Sequence, residues 1–331
     1  MKPLIFATLQ AACLLTAPAL AFAQTLYVTD QQGGITTLDA KTLAGTGQVA
    51  IGGQGPRGIA VTHDGKYLLS ANQGSGDLSI IDRATGALIT RVPIGPSTEM
   101  VRVLGHTAFA TYEPPTDKGG LAHIAVVDLD ARKVTNSIQS GHETEGLEFS
   151  TDGKLLLVTN EGGDTVNVYS LPDGKPVHTL NTIPGARPRG IKRLPDGSGY
   201  VITLEFANKF IVIDNAYNIV KTVDTAASPY GLAFSPDGTR LFVAAAKAGL
   251  LQVFDAKTFA HTTDVPIGKR CWHFSFTPDA QHIVAACGRS AALSVVDPTT
   301  LTAGKPIEGF KLPWGIVAYP NAAGTLDVGS E

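Results

Sequence analysis

Short runs of Val, Ile and Leu recur along the chain after residue 24, and each run ends at Gly, Pro, Asp or Asn. Runs of about four to eight such residues between turn-forming residues are typical of β-strands. Stretches rich in Glu, Lys, Leu and Ala, which favour helices, are missing, and charged residues make up only 17% of the chain. The pattern therefore predicts an all-β protein.

The strands group into a unit that repeats seven times. Each unit reads as four short strands, with an Asp-Gly-like turn after the first and a polar residue, usually Asp, at the end of the third. A single four-stranded sheet cannot bury both of its faces, whereas radial stacking of such sheets buries them. We therefore predict a seven-bladed β-propeller in which the Asp residues form turns through hydrogen bonds from side chain to backbone. The third strands end 41 to 46 residues apart, at Asp39, Asp82, Asp128, Ser170, Asp214, Asp255 and Asp297.

The first unit, residues 25–54, lacks its innermost strand, and the end of the chain supplies a replacement. Residues 312–318 (LPWGIVA) read like residues 55–61 (GPRGIAV). We expect the C-terminal strand to complete the N-terminal blade, so that the propeller spans residues 24–321. Residues 322–331 are then predicted to form a loose C-terminal tail.

Residues 1–23 have the pattern of a secretory signal peptide. Lys2 gives a positive start, an apolar stretch follows, and Ala21-Phe22-Ala23 forms a cleavage site. Thr, Gln and Pro interrupt the apolar stretch, and no later stretch approaches the roughly 18 apolar residues of a membrane helix. The sequence predicts a periplasmic or secreted protein without a transmembrane anchor. A net charge of −3 and the lack of a basic patch argue against nucleic acid as a partner.

The residue that opens each innermost strand should lie at one mouth of the central channel. Four of these residues are charged and three are aromatic, so one half of the predicted ring is ionic and the other aromatic. Such a ring could hold a flat, partly charged ligand, with aromatic faces for stacking and Arg for carboxylates. Alternatively, the Arg–Glu pairs neutralise one another and the aromatic residues plug the channel. The ring, which we call the mouth ring, consists of Arg57, Glu99, Glu145, Arg189, Tyr230, Trp272 and Trp314.

Two cysteines and two histidines near this ring are further candidates for functional residues. Cys271 and Cys287 lie eight residues either side of Asp279, so a hairpin centred on that turn places them on facing strands. We expect a disulfide, although the two residues could instead be buried thiols or have a redox or metal role. His273 occupies a position at which five other units have Gly, and it either contacts a ligand or packs. His142 is interpreted as a polar loop residue near the ring.

Two groups of short motifs carry a family resemblance. Residues 27–30 (YVTD) and 157–160 (LVTN) resemble the repeat of the bacterial YVTN propeller family. Residues 268–279 and 312–315 resemble a periplasmic branch associated with pyrroloquinoline quinone-dependent alcohol catabolism. That branch is similar to the haem-binding propeller of cytochrome nitrite reductase. The resemblance implies the propeller fold and brings no defined chemistry with it.

We therefore predict a non-enzymatic binding or accessory propeller in the periplasm. Its mouth ring would contact a small cofactor-like ligand or a partner protein of a quinoprotein or cytochrome system, such as a redox protein. A second hypothesis is a lactonase-like hydrolase that uses Glu145, Arg189 and His142 as acid, base and oxyanion-binding groups. A third hypothesis is a haem or metal site at His273 and Cys271, and a fourth is a protein-interaction platform.

Overall fold

The computed structural model describes residues 24–113 and 120–327, which form seven antiparallel β-sheets. Each sheet is one blade of a propeller, with its innermost strand beside the channel and its outermost strand exposed at the rim. The predicted seven-bladed all-β fold is confirmed. The predicted signal peptide, residues 1–23, lies outside the described residues.

The strands are numbered along the chain and grouped here by blade. Blade 1 consists of β1 (Thr25–Asp30), β2 (Gly34–Asp39), β3 (Gly45–Val49) and β29 (Pro313–Tyr319). Blade 2 consists of β4 (Pro56–Val61), β5 (Tyr67–Asn72), β6 (Asp77–Asp82) and β7 (Leu88–Pro93). Blade 3 consists of β8 (Val101–Leu104), β9 (Thr107–Tyr112), β10 (His123–Asp128) and β11 (Lys133–Gln139). Blade 4 consists of β12 (Thr144–Phe149), β13 (Leu155–Asn160), β14 (Thr165–Ser170) and β15 (Lys175–Asn181).

The remaining three blades follow the same order. Blade 5 consists of β16 (Pro188–Arg193), β17 (Gly199–Leu204), β18 (Lys209–Asp214) and β19 (Ile219–Asp224). Blade 6 consists of β20 (Pro229–Phe234), β21 (Arg240–Ala245), β22 (Leu250–Asp255) and β23 (His261–Pro266). Blade 7 consists of β24 (Cys271–Phe276), β25 (Ile283–Cys287), β26 (Ala292–Asp297) and two short outer strands, β27 (Thr302–Ala303) and β28 (Ile307–Glu308). A 3-10 turn, Gly288–Ser290, joins β25 to β26.

The C-terminal strand closes the ring as the sequence predicted. Strand β29 pairs with β1 in antiparallel register, with Thr25 opposite Tyr319 and Val28 opposite Ile316. Because the last strand of the chain is held by the first, the two ends of the propeller cannot separate without breaking a sheet.

The chain after β29 is not a loose tail, so that expectation was wrong for the described part of the predicted tail, residues 322–327. Phe276 donates a backbone hydrogen bond to Ala323 at 2.8 Å, and Thr325 donates one to Phe274 at 2.9 Å. Leu326 is only 1% exposed. The segment lies along β24 at the end of the channel opposite the mouth ring. Its sequence has no strand alternation, and its ordering depends on contacts that only the folded propeller supplies.

The recurring Asp residues form turns, as predicted. Asp39 accepts a hydrogen bond from the backbone N–H of Thr42 at 2.8 Å, and Asp255 accepts one from that of Thr258 at 2.7 Å. Asp128 accepts one from Ala131 at 2.8 Å. These carboxylates therefore serve the rim turns, away from the channel.

A threonine on the second strand joins neighbouring blades in three places. Thr159 accepts a hydrogen bond from the N–H of Gly146 in its own blade (2.7 Å) and donates one to the carbonyl of Arg189 in the next blade (2.6 Å). Thr29 and Thr203 make the same pair of contacts. We call this arrangement the threonine clamp. Each clamp holds the backbone of a mouth-ring residue against the blade before it.

The clamp requires a very close approach between adjacent innermost strands. A Cβ atom added to Gly146 would lie 2.3 Å from the carbonyl oxygen of Arg189, and one added to Gly190 would lie 2.5 Å from that of Tyr230. Only glycine avoids such a clash without moving a blade. Blades 3 and 7 have Met100 and His273 at this position, and both side chains are buried and line a cavity of about 20 Å³.

We expect Thr159→Val to lower the free energy of unfolding by about 1–3 kcal/mol, because the buried N–H of Gly146 and the carbonyl of Arg189 lose a shared partner. Urea denaturation followed by fluorescence measures the change. Thr179→Val, at an exposed position on β15, is the matched control and should leave stability nearly unchanged. Equal effects of the two substitutions would contradict the clamp.

Candidate functional site

The structure brings all seven residues of the mouth ring together. They line a single pocket of about 270 Å³ at one end of the channel. Each residue lies within two positions of the start of an innermost strand, so the repeat of the fold places one side chain per blade at the mouth. Other side chains complete this pocket, and the sequence analysis did not identify them: Glu113, Glu143, Glu161, Arg187 and Arg270.

Arg189 is the centre of the ionic half. Its Nε donates to Glu205 at 2.7 Å, and its Nη1 lies 2.6 Å from Glu161 and also bonds Glu145. The Arg189 side chain is 15% exposed, and that of Glu205 is 2% exposed. Three carboxylates therefore surround one largely buried guanidinium, which fixes its position tightly. On the other side of the pocket, Arg57 pairs with Glu99.

A second layer of charged residues surrounds the mouth ring. Arg187 lies 2.7 Å from Glu143 and also pairs with Glu161, and Arg270 lies 3.3 Å from Glu205. The repeat contained the signal for these residues. Glu143, Arg187 and Arg270 each stand two positions before a mouth-ring residue, whereas Glu113, Glu161 and Glu205 each follow the second strand of a blade. Aligning every position of the repeat, instead of one, would have found both groups.

The residues two positions before the mouth ring share an unusual backbone. Glu143, Arg187 and Arg270 have φ angles of 52°, 54° and 53°, in the left-handed region. This conformation turns the carbonyl of Glu143 toward the N–H of Glu161, which donates to it at 2.7 Å. Residues other than glycine seldom adopt this conformation, and those that do are often found at functional sites. The conformation presents charged side chains to the pocket at these positions.

Carboxyl groups outnumber guanidinium groups in this pocket, and this imbalance affects their protonation. Burial, with the nearby Glu145, raises the pKa of Glu99 and that of Glu161 well above the usual range, although neighbouring Arg residues oppose the rise. Burial, with Glu145 and Glu143, raises the pKa of Glu113 to about 7. Raised values of this kind in a cleft are typical of acid–base sites.

The sequence left open whether the aromatic residues of the mouth ring plug the channel or face a ligand, and in the structure they do some of each. Trp314 is only 2% exposed and Tyr230 is 5% exposed, so these rings mainly plug the channel. Tyr230 also accepts a hydrogen bond from Arg189 at 3.2 Å. Trp272 is half-buried and presents part of its ring to the pocket.

The two histidines lie outside the mouth pocket. His273 is buried beneath it, beside a cavity of about 20 Å³, and its Nδ1 lies 3.0 Å from the hydroxyl of Thr325. Burial lowers the pKa of His273 to about 3, so the ring is neutral at physiological pH. The imidazole of His273 packs 4.4 Å from the Trp314 ring. His142 is exposed and does not line the pocket.

Cys271 and Cys287 lie opposite each other on β24 and β25 and form a disulfide. Both sulfur atoms are buried and engaged in this bond, so neither is available to a ligand at the mouth. Within residues 24–113 and 120–327, no group of three or more His, Cys, Asp or Glu side chains could hold a metal ion.

Comparison with known proteins identifies the family. The family described as "Lactonase, 7-bladed beta-propeller" matches residues 25–103 and 106–303. This chain belongs to that lactonase family. The match covers most of the chain, including every residue of the mouth ring except the C-terminal Trp314.

Individual relatives of this lactonase-family protein are more distant. A 6-phosphogluconolactonase from Photorhabdus laumondii is 45% identical over 53 residues, which is 15% of this chain and 16% of that protein. The periplasmic gluconolactonase PpgL of Pseudomonas aeruginosa has a TM-score of 0.74 at 19% identity, over 89% of this chain and 98% of that one. The dihydro-heme d1 dehydrogenase NirN has a TM-score of 0.61 at 18% identity, over 88% of this chain and 65% of that one. The two solved structures share the fold.

The expectation of a non-enzymatic binding or accessory propeller was wrong, because the matching family is one of lactonases. The same finding overturns the expectation that the protein is not an enzyme. The lactonase hypothesis fits the family better, although His142 does not take part in the pocket. In the sequence, paired Arg and Glu residues look the same whether they bind or catalyse, and only the structure shows carboxyls without a matching cation.

We expect Arg189→Met to destabilise this lactonase-family protein by about 3–5 kcal/mol, because three buried carboxylates lose their shared cation. Arg189 opposes the rise in the pKa of Glu161, so its removal raises this folded-state pKa still further above the unfolded value. The unfolded state then loses the proton at lower pH than the folded state does, so the loss of stability should grow from about pH 5 to about pH 8.

Urea denaturation at both pH values measures this effect. Arg132→Met, at an exposed position between β10 and β11, is the control. A loss of stability that does not depend on pH would contradict the proposed electrostatic role of Arg189.

Proposed function

We propose that this protein hydrolyses the lactone ring of a sugar-derived substrate at the mouth pocket. Membership of the lactonase family supports this reaction class. The observation that carries the proposal is a carboxyl group with a pKa near neutrality, Glu113, in the same pocket as Arg57 and Arg189.

Glu113 has the properties of a general base. It is half-buried, and it makes no ion pair with any of the described residues. With a pKa of about 7 it is about half ionised at neutral pH and can both accept and return a proton. Arg57 and Arg189 line the same pocket as Glu113, and their positive charges act on its carboxyl group.

Arg57 is the best candidate to stabilise the oxyanion. Among the described residues its guanidinium pairs with one carboxylate, that of Glu99, and its side chain is 24% exposed in the pocket. Arg189, by contrast, is already bound by three carboxylates. A guanidinium placed where negative charge develops lowers the barrier to acyl transfer.

In the proposed reaction, Glu113 takes a proton from water while the water oxygen bonds to the lactone carbonyl carbon. Negative charge develops on the carbonyl oxygen beside Arg57. The bond between the carbonyl carbon and the ring oxygen then breaks, and the ring oxygen receives the proton from Glu113. The product is a hydroxy acid, and Glu113 returns to its starting state.

Two further mouth residues suit a sugar. The carboxylate of Glu145 can accept hydrogen bonds from hydroxyl groups. The accessible part of the Trp272 ring can pack against the C–H face of a pyranose-like ring. Both side chains line the pocket that contains Glu113.

We also propose that the protein acts in the periplasm or is secreted. The signal-peptide pattern of residues 1–23 supports this location, and one relative with the same fold is described as a periplasmic gluconolactonase. The described residues include no helix of the length and apolarity needed to cross a membrane. The association with pyrroloquinoline quinone systems stays a prediction from sequence resemblance.

We expect the purified protein to hydrolyse glucono-1,5-lactone faster than the spontaneous reaction, as measured by proton release in weakly buffered solution. Glu113 must be ionised to act as the base, so kcat/KM should rise with pH through an apparent pKa near 7. Glu113→Gln should lower kcat/KM by about a hundred- to ten-thousandfold and abolish this pH dependence.

Glu308→Gln, on the exposed outer strand β28, is the matched control and should behave like the unmodified protein. Hydrolysis no faster than the spontaneous rate would refute the proposed function. Unchanged activity in Glu113→Gln would refute the role of that carboxyl.

A further inference from the structure

A cavity of about 20 Å³ lies in the channel beneath the mouth pocket, and Arg102 and His273 are among the side chains that line it. A cavity needs roughly 10–15 Å³ to hold a water molecule, so this one has room for a single water and not for a sugar. The cavity adjoins the mouth pocket, because three residues line both spaces: Glu145, Arg189 and Tyr230.

Two side-chain atoms of the cavity lining are buried and have no hydrogen-bond partner among the described residues. One is Nε2 of His273, a residue that is 5% exposed, and the other is Nε of Arg102, a residue that is 2% exposed. The rest of the Arg102 guanidinium is engaged, since its Nη2 donates to Glu148 at 3.2 Å. Buried polar atoms in proteins nearly always have a partner, either a protein group or an ordered water. The two atoms therefore indicate a bound molecule in the cavity.

The His273 ring is held in one position and is neutral. Its Nδ1 lies 3.0 Å from the hydroxyl of Thr325, its ring packs 4.4 Å from that of Trp314, and burial lowers its pKa to about 3. A neutral imidazole carries one proton, so Nε2 accepts a hydrogen bond when Nδ1 donates to Thr325 and donates one when Nδ1 accepts. In either case Nε2 needs a partner, and a water molecule can serve in both roles.

The groups around the cavity favour a neutral molecule over an ion. Nε of Arg102 can only donate, so the bound molecule must accept a hydrogen bond from it. A cation cannot accept this bond, and it would be repelled by Arg102 and Arg189. An anion can accept it, but an anion would lie against the carboxyl group of Glu145. Water both donates and accepts, and it carries no charge.

We propose that one ordered water molecule is bound in this cavity, where it accepts a hydrogen bond from Nε of Arg102 and forms a second one with Nε2 of His273. Buried waters typically make about three hydrogen bonds. The carboxyl group of Glu145 and the hydroxyl of Tyr230 belong to residues of the same lining and are candidates for the third.

This site gives the ordered segment after β29 a role beneath the mouth pocket. Thr325 belongs to that segment, and its hydroxyl bonds Nδ1 of His273. The contact fixes the ring in the orientation that presents Nε2 to the water. The water therefore lies between the C-terminal segment and Glu145 and Arg189 of the mouth ring.

The first test is a crystal structure of the unmodified protein at a resolution that shows individual waters. We expect one peak of electron density with the height of a water, about 2.7–3.2 Å from both Nε2 of His273 and Nε of Arg102. The absence of an ordered peak, a peak that reaches only one of these atoms, or a peak with the height of a heavier ion would overturn the inference.

A matched pair of variants tests the site in solution. His273→Gln can place an amide group near the position of Nε2, whereas His273→Phe keeps a ring of similar size without any hydrogen-bonding atom. Oxygen-17 relaxation dispersion counts the waters that exchange more slowly than the protein tumbles. We expect His273→Phe to hold one such water fewer than the unmodified protein, and His273→Gln to hold the same number. A count that falls in both variants, or in neither, would overturn the inference. The crystallographic test needs no substitution, so it decides the matter if His273→Phe does not fold.

Discussion

The close contact between adjacent innermost strands is the constraint on which the rest of this structure depends. Thr159 bonds Gly146 in its own blade and the carbonyl of Arg189 in the next, and equivalent clamps form at Thr29 and Thr203. The carbonyls held in this way belong to mouth-ring residues. The contact that assembles the propeller therefore also fixes the backbone from which the pocket side chains extend.

This geometry explains how a repetitive scaffold supports a site without symmetry. Each blade contributes equivalent backbone positions, but the side chains there differ from blade to blade. Blades 3, 4 and 5 place glutamates after their second strands, and blades 2, 5 and 7 place arginines near the mouth. More carboxyl groups than guanidinium groups line the pocket. Burial and the neighbouring Glu145 and Glu143 therefore raise the pKa of Glu113 to about 7. This raised pKa supports the proposed role of Glu113 as the base.

Much of this site could be predicted because the repeat converts sequence spacing into position in space. Arg57, Glu99, Glu145 and Arg189 were placed together from their spacing alone, and the structure brings them into one pocket. Glu113 was missed because it belongs to a different position of the repeat. His273, which replaces the Gly of five other units, was expected either to contact a ligand or to pack, and in the structure it is buried against the Trp314 ring.

The sequence by itself determined the number of blades, the closing strand, the rim turns and the ring of mouth residues. These features follow from local periodicity, which can be recognised in the sequence without knowledge of distant contacts. Tertiary structure alone decided which carboxyls lack a cation, which rings are covered, and that residues 320–327 are ordered. Those properties depend on burial and on distances between residues that are far apart in the chain. A pattern of residue types along the sequence contains neither kind of information.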